Sequence, residues 1–99
     1  MPFLRVMFAF IRRELETSAS VRVRAKYTWT SADGRSHLDH GRFYVNTDHR
    51  CSMLVDLRAK LIIAIFRRDP PITRRFTSTE HCLELLRDTI CLTELLASL

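Results

Sequence analysis

Glycine is scarce in this chain: two in 99 residues, Gly34 and Gly41. Few of its connections can therefore rely on the left-handed turns that glycine makes cheaply. No glycine-rich phosphate loop can be assembled, and there is no nucleophile elbow and no helical His-Glu-x-x-His set. The carboxylates are scattered, none at a telling spacing from a histidine, so no catalytic residues are assigned and a non-enzyme is expected. Cysteine is limited to Cys51, Cys82 and Cys91. An odd number without paired spacing is not a disulfide framework and suits a reducing, intracellular setting. Cys82 and Cys91 fall in a helical pattern and are expected to be core thiols.

Long apolar runs are also missing. None exceeds six residues, as at Leu61 to Phe66, far short of the ~20 needed to span a bilayer. Phe3 to Ile11 is apolar, but Arg5 comes early in it and no small-residue cleavage site follows, so no signal peptide is read. Lysine is nearly absent, two against fourteen arginines. Arginine makes bidentate bonds to phosphate and carboxylate and stacks on aromatics, as lysine does not. An Arg-, Ser- and Leu-rich chain poor in Lys and Gly also points to a GC-rich genome, or to a gene read in a second frame over another. The latter occurs in compact viral genomes and suggests a viral or phage accessory protein.

What is present is one ordinary globular domain, 46% hydrophobic and 27% charged, with a net charge of +5. The charge is divided. Residues 1–68 hold thirteen Lys/Arg and six Asp/Glu, a basic body. Residues 69–76 form a proline-containing connection, with Asp69-Pro70-Pro71 the strongest breaker in the chain. Residues 77–98 form an acidic, amphipathic helix. Thr77-Ser-Thr-Glu80 reads as a capping box with Thr77 as N-cap. Cys82, Leu83, Leu86, Ile90, Thr93 and Ala97 are its core side, widened by Leu85, Leu92 and Leu96. Glu80, Glu84, Arg87 and Asp88 are its wet side.

Strict alternation marks Ser20 to Thr30 as a strand: Val21, Val23, Ala25, Tyr27 and Trp29 against Arg22, Arg24, Lys26, Thr28 and Thr30. Asp33-Gly34 follows as a turn within a polar loop over residues 31–41, and residues 42–47 return as a second strand. Residues 2–16 are ambiguous. Leu4, Met7, Phe8, Ile11 and Leu15 make a helical stripe, but three phenylalanines, a valine and an isoleucine favour a strand. Residues 51–58 fit either element, and 60–67 fit a strand. The fold class is therefore α+β: a small antiparallel sheet of three to five strands packed against the C-terminal helix. Its core face is expected to hold Val21, Val23, Tyr27, Trp29, Phe43 and Val45.

The basic strand face is the best functional lead. Arg22, Arg24 and Lys26 project on one side, ~6.8 Å apart. Arg12, Arg13, Arg35 and Arg42 join them if the neighbouring segments pair as strands, and Arg67-Arg68 and Arg74-Arg75 flank the proline break. Cations on a rigid platform suit phosphate, so nucleic acid is the first expected partner, RNA ahead of DNA. Tyr44 is available for base stacking if it lies on that face. The competing class is a protein-interaction module, a suppressor, inhibitor or adaptor binding an acidic surface on a host protein. A homodimer is expected through the Leu-rich helix, with Leu85, Leu92 and Leu96 as contact residues. Attachment to a membrane through Phe3–Ile11 ranks below both. No metal and no cofactor is assigned. His37-x-x-His40 and His49-x-Cys51 lack the further pair that zinc requires.

Overall fold

The computed structural model describes residues 2–24, 38, 40–48, 51–66 and 69–97. Its order is α1 (Pro2–Leu15), β1 (Val21–Arg24), β2 (Arg42–Thr47), β3 (Cys51–Asp56), β4 (Leu61–Phe66), β5 (Ile72–Arg75) and α2 (Thr79–Ala97). The five strands form one antiparallel sheet in sequential order, a meander. The α+β class and the C-terminal helix over the sheet are as expected.

The N-terminal segment corrects the strand expected over 2–16: it is a helix. The β-prone residues are outvoted by geometry. As a helix, Leu4, Phe8, Ile11 and Leu15 fall on one buried stripe, while Arg5, Arg12 and Arg13 stay exposed. A strand would divide the same apolar residues between two faces. Arg12 and Arg13 also sit in the last turn, where the helix dipole favours cations. Residues 51–58 resolve as strand β3 and the turn that follows it, and Leu61–Phe66, within the strand expected over 60–67, as β4.

Both helices pack on one face of the sheet. Val21, Val23, Phe43, Val45, Met53, Val55 and Ile62 point into the layer between, where Leu4, Phe8, Ile11, Cys82 and Leu86 meet them. The Phe8 and Phe43 rings meet edge to face, with centroids 5.2 Å apart. Val21, Val23, Phe43 and Val45 occupy the core face as expected. Tyr27 and Trp29 lie outside the described residues, as do the Asp33-Gly34 turn and the strand beyond Arg24. Leu38, which the sequence places in a polar loop, is buried.

The start of α2 differs from the expected capping box by one residue. The Ser78 hydroxyl, not that of Thr77, accepts the His81 N–H at 3.1 Å, and the first helical bond runs from Cys82 N–H to the Ser78 carbonyl. His81 takes the reciprocal part expected of Glu80: its Nδ1 accepts the Thr77 N–H at 3.0 Å. Cys82, Leu83, Leu86, Ile90 and Thr93 are buried as expected, but Cys91 is exposed and is no core thiol. At nine residues beyond Cys82 it has rotated ~180° around the helix at 3.6 residues per turn.

The β3–β4 turn contains neither glycine nor proline. Asp56 makes it instead, its Oδ1 accepting the N–H groups of Arg58 and Ala59 at 3.1 and 2.9 Å. Lys60 closes it at φ 58°.

Candidate nucleic-acid interface

With the helices on one face, the other face of the sheet carries everything of opposite parity. Register places these residues in three rows across the strands. Arg22, Asn46, Ser52 and Ile65 form the first row. Arg24, Tyr44, Leu54, Ile63 and Thr73 form the second. Arg42, Asp56, Leu61 and Arg75 form the third. Four arginines thus share one face, two on β1 and one each on β2 and β5. At ~4.8 Å per strand, the face is ~19 Å across.

Arg22, Arg24 and Arg42 are brought together on that face, and Tyr44 lies directly beside Arg24. Lys26, Arg35, Arg67 and Arg68 lie outside the described residues. Arg12 and Arg13 correct the expectation: on α1 they belong to the helical layer and do not project from the sheet face. Arg12 donates to Glu16 at 2.7 Å, and the Arg13 guanidinium lies 5.9 Å from the Phe10 ring centroid. Arg75 is the addition that strand pairing reveals. The sequence offered it only as half of a double-basic step.

The arginines have carboxylate neighbours. Arg22 meets Asp48 at 3.5 Å and Arg42 meets Asp56 at 3.2 Å. All four of these groups except Asp56 have side chains at least half exposed, and exposed pairs hold each other with only ~0–1 kcal/mol. A phosphate can displace such partners. Glu16 sits at the β1 edge. Partial burial pushes its carboxyl pKa up, but the Arg12 hydrogen bond, the Val23 N–H and the charges of Arg12 and Arg24 outweigh this. The result lies below the ordinary carboxylate value. Among the described residues, the acidic helix makes no ion pair with the sheet arginines. Its Arg87 meets Glu14 of α1 at 3.1 Å, and Glu94 accepts from Ser20 at 3.4 Å.

The middle of the face is apolar. Leu54, Leu61 and Ile63 are half-buried and Ile65 is exposed. The sequence signal for this was the run Leu61 to Phe66, in which both parities are apolar, a pattern that commits no face to solvent. Of the residues expected to mediate self-association, Leu85 packs against the core, Leu92 is 49% exposed, and Leu96 carries no described side chain.

Elsewhere, a cleft of about 190 Å³ separates the end of α1 from α2, lined by Glu14, Ser18, Arg87, Cys91 and Glu94. Its charged groups already engage one another or a serine. Burial raises the Cys51 thiol pKa, and pushes that of Cys82 up to about 12. Among the described residues no group of three or more His, Cys, Asp or Glu is placed to hold a metal ion. Likewise, no described helix is long and apolar enough to cross a membrane. His37 and His49 lie outside the described residues. No family model, curated protein or solved structure matches the chain.

Proposed function

We propose that this protein is a non-enzymatic accessory protein, of viral or phage origin, that binds nucleic acid through the open face of its sheet. RNA is the first choice and DNA the second. One observation carries the reading: four arginines surround Tyr44 and an apolar strip on the face that the helices leave bare. Arginine forks suit phosphate oxygens, and an aromatic ring between them suits a base. Contacts of this type position a backbone and carry little base information. An intracellular location goes with the reading, since free thiols suit a reducing compartment.

The test is a gel-shift series with single- and double-stranded RNA and DNA at two salt concentrations. The variant Arg22→Ala/Arg24→Ala/Arg42→Ala should weaken binding similarly for every sequence. It should flatten the slope of log affinity against log salt by up to about 2–3, at ~0.7–0.9 for each phosphate that is no longer neutralised. Salt-independent behaviour of the unaltered protein towards all four nucleic acids would remove the reading.

A second reading, binding to a protein, is favoured by the β5 edge, unpaired among the described residues, and the groove beside it. A partner that stays bound after nuclease treatment and after the triple substitution would support it.

A further inference from the structure

The two edges of the sheet are treated differently. At the β1 edge, Ser20 pairs with Asp48 through a backbone bond of 3.1 Å. By alternation, the N–H groups of Val21 and Val23 point away from the sheet. Both are satisfied locally: Val21 N–H donates to the Ser18 carbonyl at 3.2 Å and Val23 N–H to the Glu16 carboxylate at 3.3 Å. That edge is closed to a further strand.

Among the described residues, the β5 edge is open. Phe76 N–H bonds the Lys60 carbonyl at 3.1 Å, which places Arg74 and Ile72 in the inward-bonding positions. Thr73 and Arg75 therefore turn their N–H and C=O groups outward. Among the described residues nothing pairs with them, and all four residues of β5 are exposed. Beside the strand, on the helical side, a groove of about 40 Å³ runs between β5 and α2. Phe66, Ile72, Leu85 and Leu92 line it, with Arg74 at its rim. Ile72 and Leu92 are each about half exposed, at 48% and 49%.

Charge decides the occupant. A second copy pairing β5 against β5 through both outward-bonding residues, Thr73 opposite Arg75, would set Arg74 directly against its twin, and like charges in facing positions destabilise a ladder. An acidic strand meets the same edge with the opposite sign. We propose that the β5 edge and the Ile72–Leu92 groove accept an extended acidic segment of a partner protein as a sixth, antiparallel strand. The main-chain bonds form to Thr73 and Arg75. Acidic side chains lie opposite Arg74 and Arg75, and one aliphatic side chain opposite Ile72 enters the groove. Arg75 is shared with the nucleic-acid face, but the main-chain bonds, Arg74 and the groove lie at the edge and on the helical side, so the peptide test reads this surface apart from nucleic-acid binding.

The probe is the peptide acetyl-Ser-Thr-Glu-Glu-Thr-Leu-Ser-amide, titrated into the ¹⁵N-labelled full chain and followed by amide shifts. The expected result is saturable movement and slowed exchange of the Thr73 and Arg75 amides, with Val23 unmoved. Replacing both Glu by Lys, or N-methylating alternate residues, should abolish it. Thr73→Pro removes an outward N–H without touching the β4 ladder and should abolish it as well. Arg74→Glu should weaken it at least roughly tenfold, and it keeps the test decisive if the proline variant fails to fold. Equal responses to the Glu and Lys peptides, or binding that survives N-methylation, would overturn the proposal. So would the absence of any response at peptide saturation. Concentration-dependent movement of the same amides without peptide, with a doubled sedimentation mass, would assign the edge to a second copy instead and equally overturn it.

Discussion

The Glu16 carboxylate, just past the end of α1, accepts the backbone N–H of Val23 on the outermost strand at 3.3 Å. A side chain thus makes the bond that a neighbouring strand would make, and Arg12 holds it there at 2.7 Å. The same interaction fixes the angle at which the chain leaves the helix and enters the sheet.

This hydrogen bond has a pH signature. The Glu16 pKa in the fold lies below its ordinary value of 4.5. Its contribution to stability is therefore fully present above that value and is lost as pH falls through the lowered one. Glu16→Gln should lower the melting temperature at pH 7 and should make the acid limb of the stability–pH curve shallower. Parallel acid limbs for the two proteins would show that the carboxylate is not coupled to folding.

At the start of α2, Ser78→Ala should cost about 1 kcal/mol, because it removes the acceptor of the His81 N–H. Thr77→Ala should stay within about 0.5 kcal/mol, since it removes only an exposed hydroxyl at 3.3 Å from His81 Nδ1 and keeps the 3.0 Å bond that the Thr77 backbone N–H makes to the same nitrogen. Leu86→Pro should abolish folding, as Leu86 is wholly buried in mid-helix. Urea melts of the three variants check the order.

The thiols divide one against two. Cys91 is exposed, while Cys51 and Cys82 are buried. An aromatic disulfide reagent should titrate one thiol rapidly in the native protein and three in denaturant. Burial raises the Cys82 pKa from 9.0 to about 12. Stability should thus be intact below pH 9.0 and decline as pH rises towards 12, because the unfolded chain loses that proton first. Cys82→Ala should remove part of this alkaline decline.

Two turn positions should respond in opposite directions. Lys60 holds a left-handed backbone at φ 58°, and Lys60→Gly should stabilise the protein by up to about 1 kcal/mol. Gly41 has φ +80°, and a Cβ there would stand 3.0 Å from Arg58 Cγ and 3.3 Å from Arg58 N. Gly41→Ala should destabilise by more than ~1 kcal/mol. Chemical denaturation measures both.

The elements that read clearly from sequence were those where one pattern had no rival. The alternation of Val21, Arg22, Val23 and Arg24 fixes which faces the core, and α2 follows from its leucine spacing. The N-terminal segment did not read clearly because phenylalanine and valine favour strand locally, while the four-residue stripe that decides for helix gains its energy only against the sheet. The β3–β4 turn hid because Asp56 and Lys60 made it without the usual residues. At the site, Arg22 and Arg24 were legible from parity alone. Arg75 and the apolar strip were not, because which face a residue shares with a distant strand is fixed by register, and register is a tertiary fact.

The meander also orders events in time. From β2 onward each strand pairs with the next after a short connection, so this part of the sheet can grow hairpin by hairpin as synthesis proceeds, with little loop closure at each step. The longest-range closures are those of α2, such as the bond between Arg87 and Glu14, 73 residues apart. Until α2 leaves the ribosome, the apolar layer that Leu86 and Cys82 will cover stands open to water. A chain stopped just after β5 would therefore hold all five strands with half their roof missing, a sticky species rather than a smaller folded one.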